Sequence, residues 1–146
     1  MTEKMFELLR TTFPKYNIVG PERAGRDILL GEVFADYPKK DRPEDFVIRD
    51  EKERVLAIGF ARYDSDRGGV QEDDRTGGYS NAANEILKYT KAKGLSTKVI
   101  FVNDGPGLLL GSMWDDYSYI EEQAEEIKVV TLRVIADRVT EKWLLE

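Results

Sequence analysis

The sequence of 146 residues contains no cysteine and no histidine. Without cysteine, the chain can form neither a disulfide framework nor a thiolate metal site. Without histidine, it lacks the usual general base of enzymes, imidazole ligands for zinc and any Ser-His-Asp arrangement. Acid, base or metal chemistry must therefore come from carboxylates, lysines, arginines and tyrosines.

Long hydrophobic runs are also missing. No stretch approaches the roughly 20 apolar residues of a membrane span, and the first residues, Met1-Thr2-Glu3-Lys4-Met5-Phe6, do not form the apolar stretch of a signal peptide. We therefore expect a cytoplasmic protein with no membrane partner. The net charge of −6 argues against a broadly basic nucleic-acid surface, because phosphate binding depends on clustered lysine and arginine. A divalent ion would reverse the effect of carboxylates gathered around it.

The hydrophobic pattern alternates between helical and strand-like spacing. It predicts a helix over residues 3 to 12 and strands at 28 to 34, 46 to 48 and 55 to 61. Further along it predicts a helix from Ser80 to Gly94, a buried strand at 99 to 102, a helix marked by residues 117 to 127, a short strand at 129 and 130, and a closing helix over 132 to 143. This order predicts an α/β fold: a single domain, residues 1 to 146, with a mixed central β-sheet flanked by helices.

The stretch from Arg62 to Tyr79 has almost no apolar content and contains two glycine pairs, which predicts a long loop. Its part from Asp64 to Arg75 holds five acids and two arginines. Loops of this length are uncommon in compact domains and are usually functional or disordered. A solvated mobile loop and a functional loop are therefore both compatible with this stretch.

The run Arg42-Pro43-Glu44-Asp45-Phe46-Val47-Ile48 places two acids where a proline-containing connection enters an apolar strand. A carboxylate at the first residue of a strand is held rigidly by the sheet but points to its rim. This placement suits a hard cation with oxygen ligands. A merely solvated acid at the edge of a hairpin is the alternative interpretation of the motif.

From Arg42 to Asn103 the chain resembles the core of the PD-(D/E)xK nuclease superfamily, in particular type II restriction endonucleases. The matching pieces are Pro43-Glu44-Asp45, the strand that ends at Tyr63, the glycine-containing loop, the helix from Ser80 and the strand from Lys98 to Asn103. The resemblance implies a restriction-endonuclease-like core and an endonuclease that hydrolyses DNA phosphodiester bonds with Mg²⁺ or Mn²⁺. It also implies double-stranded DNA as a partner, together with a homodimer or a separate recognition subunit or domain.

The resemblance assigns the first metal-binding acid to Asp45, with Glu44 as the alternative in register. The acid-x-Lys motif of the family falls on Gly59-Phe60-Ala61, where neither glycine nor alanine can bind a metal or a phosphate. Side chains two residues apart on a strand share a face, so Arg62 and Asp64 would project together if the strand reaches that far.

The resulting hypothesis assigns a role to each residue. The catalytic residues are Asp45, Arg62, Asp64, Asp66 and Arg67. The metal ligands are Asp45, Asp64 and Glu72, and the DNA contacts come from Arg67, Gln71 and Arg75. Arg62 or Arg67 would stabilise charge on the phosphate. Because arginine cannot act as a base at neutral pH, the metal or another carboxylate must activate the attacking water.

The missing acid-x-Lys motif leaves a second hypothesis open, in which a catalytically inert nuclease-like fold serves as a DNA-binding or protein-interaction module. Gly59 and Ala61 support this hypothesis. Two further acids have weaker assignments. Glu85 is expected on the solvent face beside Lys88, although some of the related nucleases supply a metal-binding acid from the equivalent helix, and Glu22 is either an accessory acid or a turn residue.

Overall fold

A computed structural model of the protein describes residues 2–20, 28–63, 70–104 and 119–146. The strands are β1 Asn17–Val19, β2 Ile28–Leu29, β3 Pro43–Glu44, β4 Phe46–Arg49, β5 Val55–Tyr63, β6 Lys98–Asp104 and β7 Ile127–Val130. Five of them form one sheet in the order β1-β4-β5-β6-β7, and β2 pairs with β3 in a separate two-stranded sheet.

The main sheet is mixed. Strands β1, β4 and β5 are antiparallel, whereas β5, β6 and β7 run parallel to one another. Strand β6 therefore has parallel neighbours on both sides, which agrees with its uninterrupted apolar run. Two registers matter for the site, because Phe46 lies opposite Gly59 and Arg62 lies beside Asn103.

Helices cover both faces of the sheet. They are α1 Thr2–Thr12, α2 Leu30–Val33, α3 Val70–Ala92, α4 with described residues 119–122, α5 Ile135–Arg138 and α6 Glu141–Leu145. One apolar cluster joins the sheet to α2, α3 and α4, and a second joins its other face to α1, α5 and α6. The predicted α/β architecture, with a mixed sheet flanked by helices, is confirmed. No helix in the described part of the chain is long and apolar enough to cross a membrane.

The predicted loop over residues 62 to 79 is wrong for its second half, because α3 begins at Val70 rather than at Ser80. A glycine pair, Gly77-Gly78, lies inside the helix, where each glycine costs about 1 kcal/mol relative to alanine. Packing of the later part of the helix, through Ala83 and Ile86 among others, offsets this cost because both residues are buried against the sheet. Tertiary contacts therefore override the local preference.

Two other element predictions need correction. The expected strand over residues 28 to 34 ends at Leu29, and Leu30, Phe34 and Tyr37 are buried at the helical spacing i, i+4 and i+7. The expected helix that reached residue 127 gives way to β7, which begins at Ile127.

The closing helix is divided into α5 and α6. The break falls at Thr140, whose hydroxyl accepts a hydrogen bond of 3.1 Å from the Trp143 N–H and so caps α6. A side chain that supplies a helix cap favours a new start over continuation of the preceding helix.

The outer strand β7 is protected on its open side. The Val129 N–H donates to the Glu121 carboxylate (2.9 Å), and the Val129 carbonyl accepts from the Arg138 guanidinium (2.8 Å). Glu121 and Arg138 also form an ion pair with each other. These side chains satisfy backbone groups that an exposed edge strand would otherwise offer to another chain.

Candidate functional site

Asp45 stands directly before β4, at the edge of the sheet where β5 and β6 end. Its backbone N–H donates to the Gly59 carbonyl (2.9 Å), and its side-chain Oδ2 accepts from the Ala61 N–H (2.7 Å). The carboxylate therefore takes the place of a backbone acceptor at the end of the β4–β5 ladder. Because both bonds are to the sheet, this half-buried acid has a fixed position at the rim.

The space beside Gly59, where the resemblance would place an acid, is filled by an aromatic ring. Phe46 lies opposite Gly59, and a Cβ atom added to Gly59 would overlap the Phe46 ring. Phe46 also packs edge to face on Phe6 of α1, with ring centroids 6.3 Å apart. A carboxylate at position 59 would require this ring to move, so glycine is the residue that the packing of this face demands.

The opposite face of the same strands has a different character. Phe60 and Phe101 stack with ring centroids 5.2 Å apart, and one row further along, Arg62 and Asn103 are in register. Because alternate residues of a strand share a face, positions 62 and 103 lie on the face covered by α3. The candidate residues Asp45 and Arg62 thus lie with Asn103 at one edge of the sheet, at the entry to β4 and near the ends of β5 and β6.

The side chain of Asn103 is buried, with 1% exposure. Neither its Nδ2 nor its Oδ1 has a hydrogen-bond partner among the residues that the structure describes. An unsatisfied buried group of this kind costs on the order of 1–3 kcal/mol, and such groups call for a specific explanation, such as a bound ligand or water. Sequence reasoning gave Asn103 no role, although an amide that follows an uninterrupted apolar run was a visible signal.

The other predicted residues differ in how far the structure describes them. Asp64, Asp66, Arg67 and Glu22 lie outside the described residues. Gln71, Glu72 and Arg75 belong to the first turns of α3. Only six residues connect β5 to α3, so α3 begins at the edge where β5 ends. Glu72 precedes the buried Ala83 by eleven residues, about three helical turns.

The predicted pairing of Glu85 with Lys88 is wrong. The Glu85 carboxylate lies 2.5 Å from the Lys39 Nζ and 2.6 Å from an Arg42 guanidinium nitrogen. The hydrogen bond from Lys39 is the main cause that lowers the pKa of Glu85, and the charge of Arg42 adds to it. The pairing was missed because Lys39 is 46 residues away in the sequence, beyond any local pattern.

Two buried polar groups lie near this ion-pair cluster. The Tyr37 side chain is 2% exposed, and its hydroxyl has no hydrogen-bond partner within the described part of the chain. Burial raises the pKa of Tyr37, and the charges of Glu85 and Glu44 raise it further. Glu44, the alternative register for the first metal ligand, is buried with 1% exposure opposite Ile28 in the small sheet. Asp45, rather than Glu44, is therefore the half-buried acid at the edge of the main sheet.

No group of three or more acidic side chains that could hold a metal ion occurs among the described residues. Of the three predicted ligands, Asp45 is the one whose side chain the structure describes. Its carboxylate is a hard oxygen ligand of the kind that Mg²⁺ prefers, and its fixed position suits this role.

Comparison with known proteins yields no relative for this chain. No protein-family model, no curated protein and no solved structure matches it. The arrangement of its own residues is therefore the basis for a functional assignment.

Proposed function

We propose that the protein is a metal-dependent endonuclease with a restriction-endonuclease-like core that hydrolyses phosphodiester bonds in double-stranded DNA. The observation that carries the proposal is the fixed position of Asp45, whose Oδ2 accepts from the Ala61 N–H at 2.7 Å. This acid lies at the sheet edge where β5 and β6 end and where α3 begins. Arg62 belongs to the end of β5, and Glu72 to the first turns of α3.

Asp45, Asp64 and Glu72 would hold the cation at this edge. Bound Mg²⁺ or Mn²⁺ would supply an activated water and would neutralise charge on the phosphate. Asp66 lies in the same connection between β5 and α3 and would assist as a further carboxylate. A rigid first ligand matters here, because a metal site tolerates little displacement of its ligands.

The basic residues of the proposal act on the substrate. Arg62 or Arg67 would stabilise the charge that develops on the phosphate in the transition state. Arg67, Gln71 and Arg75 would contact the DNA from the connection and from the first turns of α3. The guanidinium groups of Arg62 and Arg67 stay protonated at neutral pH. The proton of the attacking water must therefore pass to a carboxylate or to solvent.

The absent acid-x-Lys motif is compatible with this proposal. Positions 59 and 61 share the face that packs against α1, and the Phe46 ring fills the space beside Gly59. Position 62 lies on the other face, together with position 103. The proposal therefore draws its charged residues from the α3 side and treats the α1 side as packing.

Cleavage of both DNA strands requires two active sites or two successive events. A symmetric homodimer meets this requirement, because each copy would present its own Asp45 edge to one strand. A separate recognition subunit or domain would instead add sequence specificity to a single site. Cleavage of supercoiled plasmid separates the two arrangements, since a dimer gives linear product and a single site accumulates nicked circles.

The substitution Asp45→Asn tests the assignment. It retains an oxygen that can accept from the Ala61 N–H but removes the charge that binds a metal. We expect Mg²⁺-dependent plasmid cleavage to fall by at least about 100-fold, with an unchanged Tm. Asp137→Asn, at an exposed position in α5, is the matched control and should cleave like the parent. Equal cleavage by Asp45→Asn and the parent would remove Asp45 from the site.

A second function is favoured by Gly59 and Ala61, namely an inert nuclease-like fold that binds DNA or another protein. Two measurements on the parent protein separate it from the nuclease. DNA binding without cleavage in either Mg²⁺ or Mn²⁺ would support the inert module. Cleavage that depends on either ion would exclude it.

A further inference from the structure

A surface groove runs between residues 37–43 and the outer side of α3. It consists of two depressions, of about 320 Å³ and about 510 Å³. They share Pro38 and Lys39 in their walls and are therefore adjacent. Lys88 and Tyr89 of α3 border the first depression, and residues 38–43 form the second. We call this feature the basic groove.

The basic groove carries a local positive charge in an acidic chain. Its walls contain four cations, Lys39, Lys40, Arg42 and Lys88, and two acids, Asp41 and Glu85. The balance of 4 − 2 gives +2, whereas the whole chain has a net charge of −6. A surface whose sign opposes that of the chain attracts a polyanion locally while the rest of the surface repels it.

Much of this positive charge is available to a ligand. Lys40 and Lys88 are exposed, and neither forms an ion pair with another described residue. Glu85 is shared by two cations, Lys39 and Arg42. The Nε of Arg42 is buried and has no hydrogen-bond partner within the described structure. The groove thus offers donors beyond those that its own acids satisfy.

The floor of the basic groove is aromatic. Tyr37 and Tyr89 pack edge to face, with ring centroids 5.1 Å apart, and both line the first depression. The Tyr89 hydroxyl donates to Asp36, which fixes the ring. Flat apolar surface between cationic side chains suits a sugar–phosphate backbone, whose phosphates need positive charge and whose sugars offer apolar atoms.

The groove leads to the proposed active site. Arg42 precedes Asp45 by three residues, which span at most about 11 Å. A strand seated on Arg42 would therefore pass close to the Asp45 carboxylate.

We propose that the basic groove docks the phosphate backbone of double-stranded DNA next to the phosphate that is cleaved at the Asp45 edge. The choice of occupant rests on the proposed function, on the charge of the groove and on its continuity with Asp45. Contacts of this kind set the register of the duplex and carry no sequence information. The groove therefore contributes affinity and positioning, whereas base recognition belongs to other residues.

The test compares two double variants that remove the same charge from different surfaces. Lys40→Ala/Lys88→Ala removes the two exposed lysines of the groove that form no ion pair with another described residue, and Lys4→Ala/Lys15→Ala changes exposed lysines in and after α1. Binding of a fluorescent 30-base-pair duplex is measured by anisotropy in EDTA over a range of salt concentrations. Because each lost phosphate contact reduces the log–log salt slope by about 0.9, we expect the groove variant to lose about 2 from this slope.

The outcomes distinguish DNA docking in the basic groove from the proposed nuclease activity. An equal loss of salt slope in both double variants, or no loss in the groove variant, overturns the proposed role of the basic groove. A parent that fails to bind the duplex also overturns it. Competition at the groove by poly-glutamate that exceeds competition by DNA would assign it to an acidic protein partner instead. A parent that binds DNA through the groove but does not cleave it in Mg²⁺ or Mn²⁺ supports the groove and contradicts the proposed catalysis.

Discussion

The two faces of the central sheet differ in how completely they are packed. The face against α1, α5 and α6 is filled by apolar side chains such as Phe6, Phe46 and Ile135. The face against α2, α3 and α4 also has an apolar core, but polar atoms are buried within it and beside it. Atoms of Tyr37 and Asn103 are among those that find no hydrogen-bond partner in the described residues.

This difference separates the part of the sheet that contributes mainly to stability from the part that we assign to function. Buried polar groups without partners destabilise a fold and are retained mainly where they serve another purpose. Strand β5 contributes to both faces, because Gly59 and Ala61 lie on the packed side and Phe60 and Arg62 on the other. The packed face thus stabilises the sheet, and positions 62 and 103, which lie in register on the α3 side, belong to the edge that we assign to function.

The largest expected effect is on the packed face. Gly59→Ala would place a Cβ against the Phe46 ring, and we expect a loss of about 3 kcal/mol in the free energy of unfolding because a packed core responds poorly to added volume. Urea denaturation measures this loss. Phe46→Leu in the same chain should recover part of it. A loss below about 1 kcal/mol would show that this face is less tightly packed than described.

The second effect concerns the outer strand β7, at one edge of the sheet. Arg138 binds Glu121 and the Val129 carbonyl across the outer strand β7. We expect Arg138→Ala to lower the free energy of unfolding by about 2 kcal/mol, because charge-assisted hydrogen bonds contribute about 1.5–3 kcal/mol. Arg133→Ala, at an exposed position, should change it by less than about 0.5 kcal/mol. Similar values for the two variants would refute the protective role at β7.

A third effect should have the opposite sign. Asn103→Leu replaces a buried amide that has no partner with an apolar side chain of similar size, so we expect the protein to gain about 1 kcal/mol in stability. Because position 103 lies beside the proposed site, the same variant should lose cleavage activity. Asn84→Leu, on the exposed side of α3, should give neither change. A destabilised Asn103→Leu protein would mean that the amide is satisfied by a structural water.

The smallest effect is a pH dependence of the stability, which comes from Asp36 at the rim of the α3 face. The hydrogen bond from Lys93, followed by that from Tyr89, lowers the pKa of Asp36 from 3.8 to about 2. Because the pKa is lowered in the folded state, the ionised carboxylate stabilises the fold at pH values above its ordinary pKa. This contribution disappears as the pH falls from about 4 through about 2. We expect the Tm of Asp36→Asn to fall less steeply than that of the parent between pH 5 and pH 2. Identical slopes would contradict this contribution.

Local sequence patterns sufficed for much of the fold. Helical spacing located α1, two short apolar runs separated by a polar turn located the β4–β5 hairpin, and an uninterrupted apolar run located the buried strand β6. The start of α3 could not be predicted, because Gly77-Gly78 and the charged residues before it resemble a loop. There, contacts distant in sequence decide the structure.

The candidate site was less predictable for the same reason. The acid at the entry to β4 could be found from its motif. The reason for Gly59 could not, because it depends on the register that sets this residue against Phe46. The partners of Glu85 and the burial of Asn103 likewise follow from the tertiary fold.

Metal binding by the Asp45 edge is the central claim, and isothermal titration with Mn²⁺ tests it most directly. We predict measurable binding to the parent protein and at least about 10-fold weaker binding to Asp45→Asn, with no change for Asp137→Asn. Equal Mn²⁺ affinity in the parent and in Asp45→Asn, or no binding to the parent, would contradict the claim.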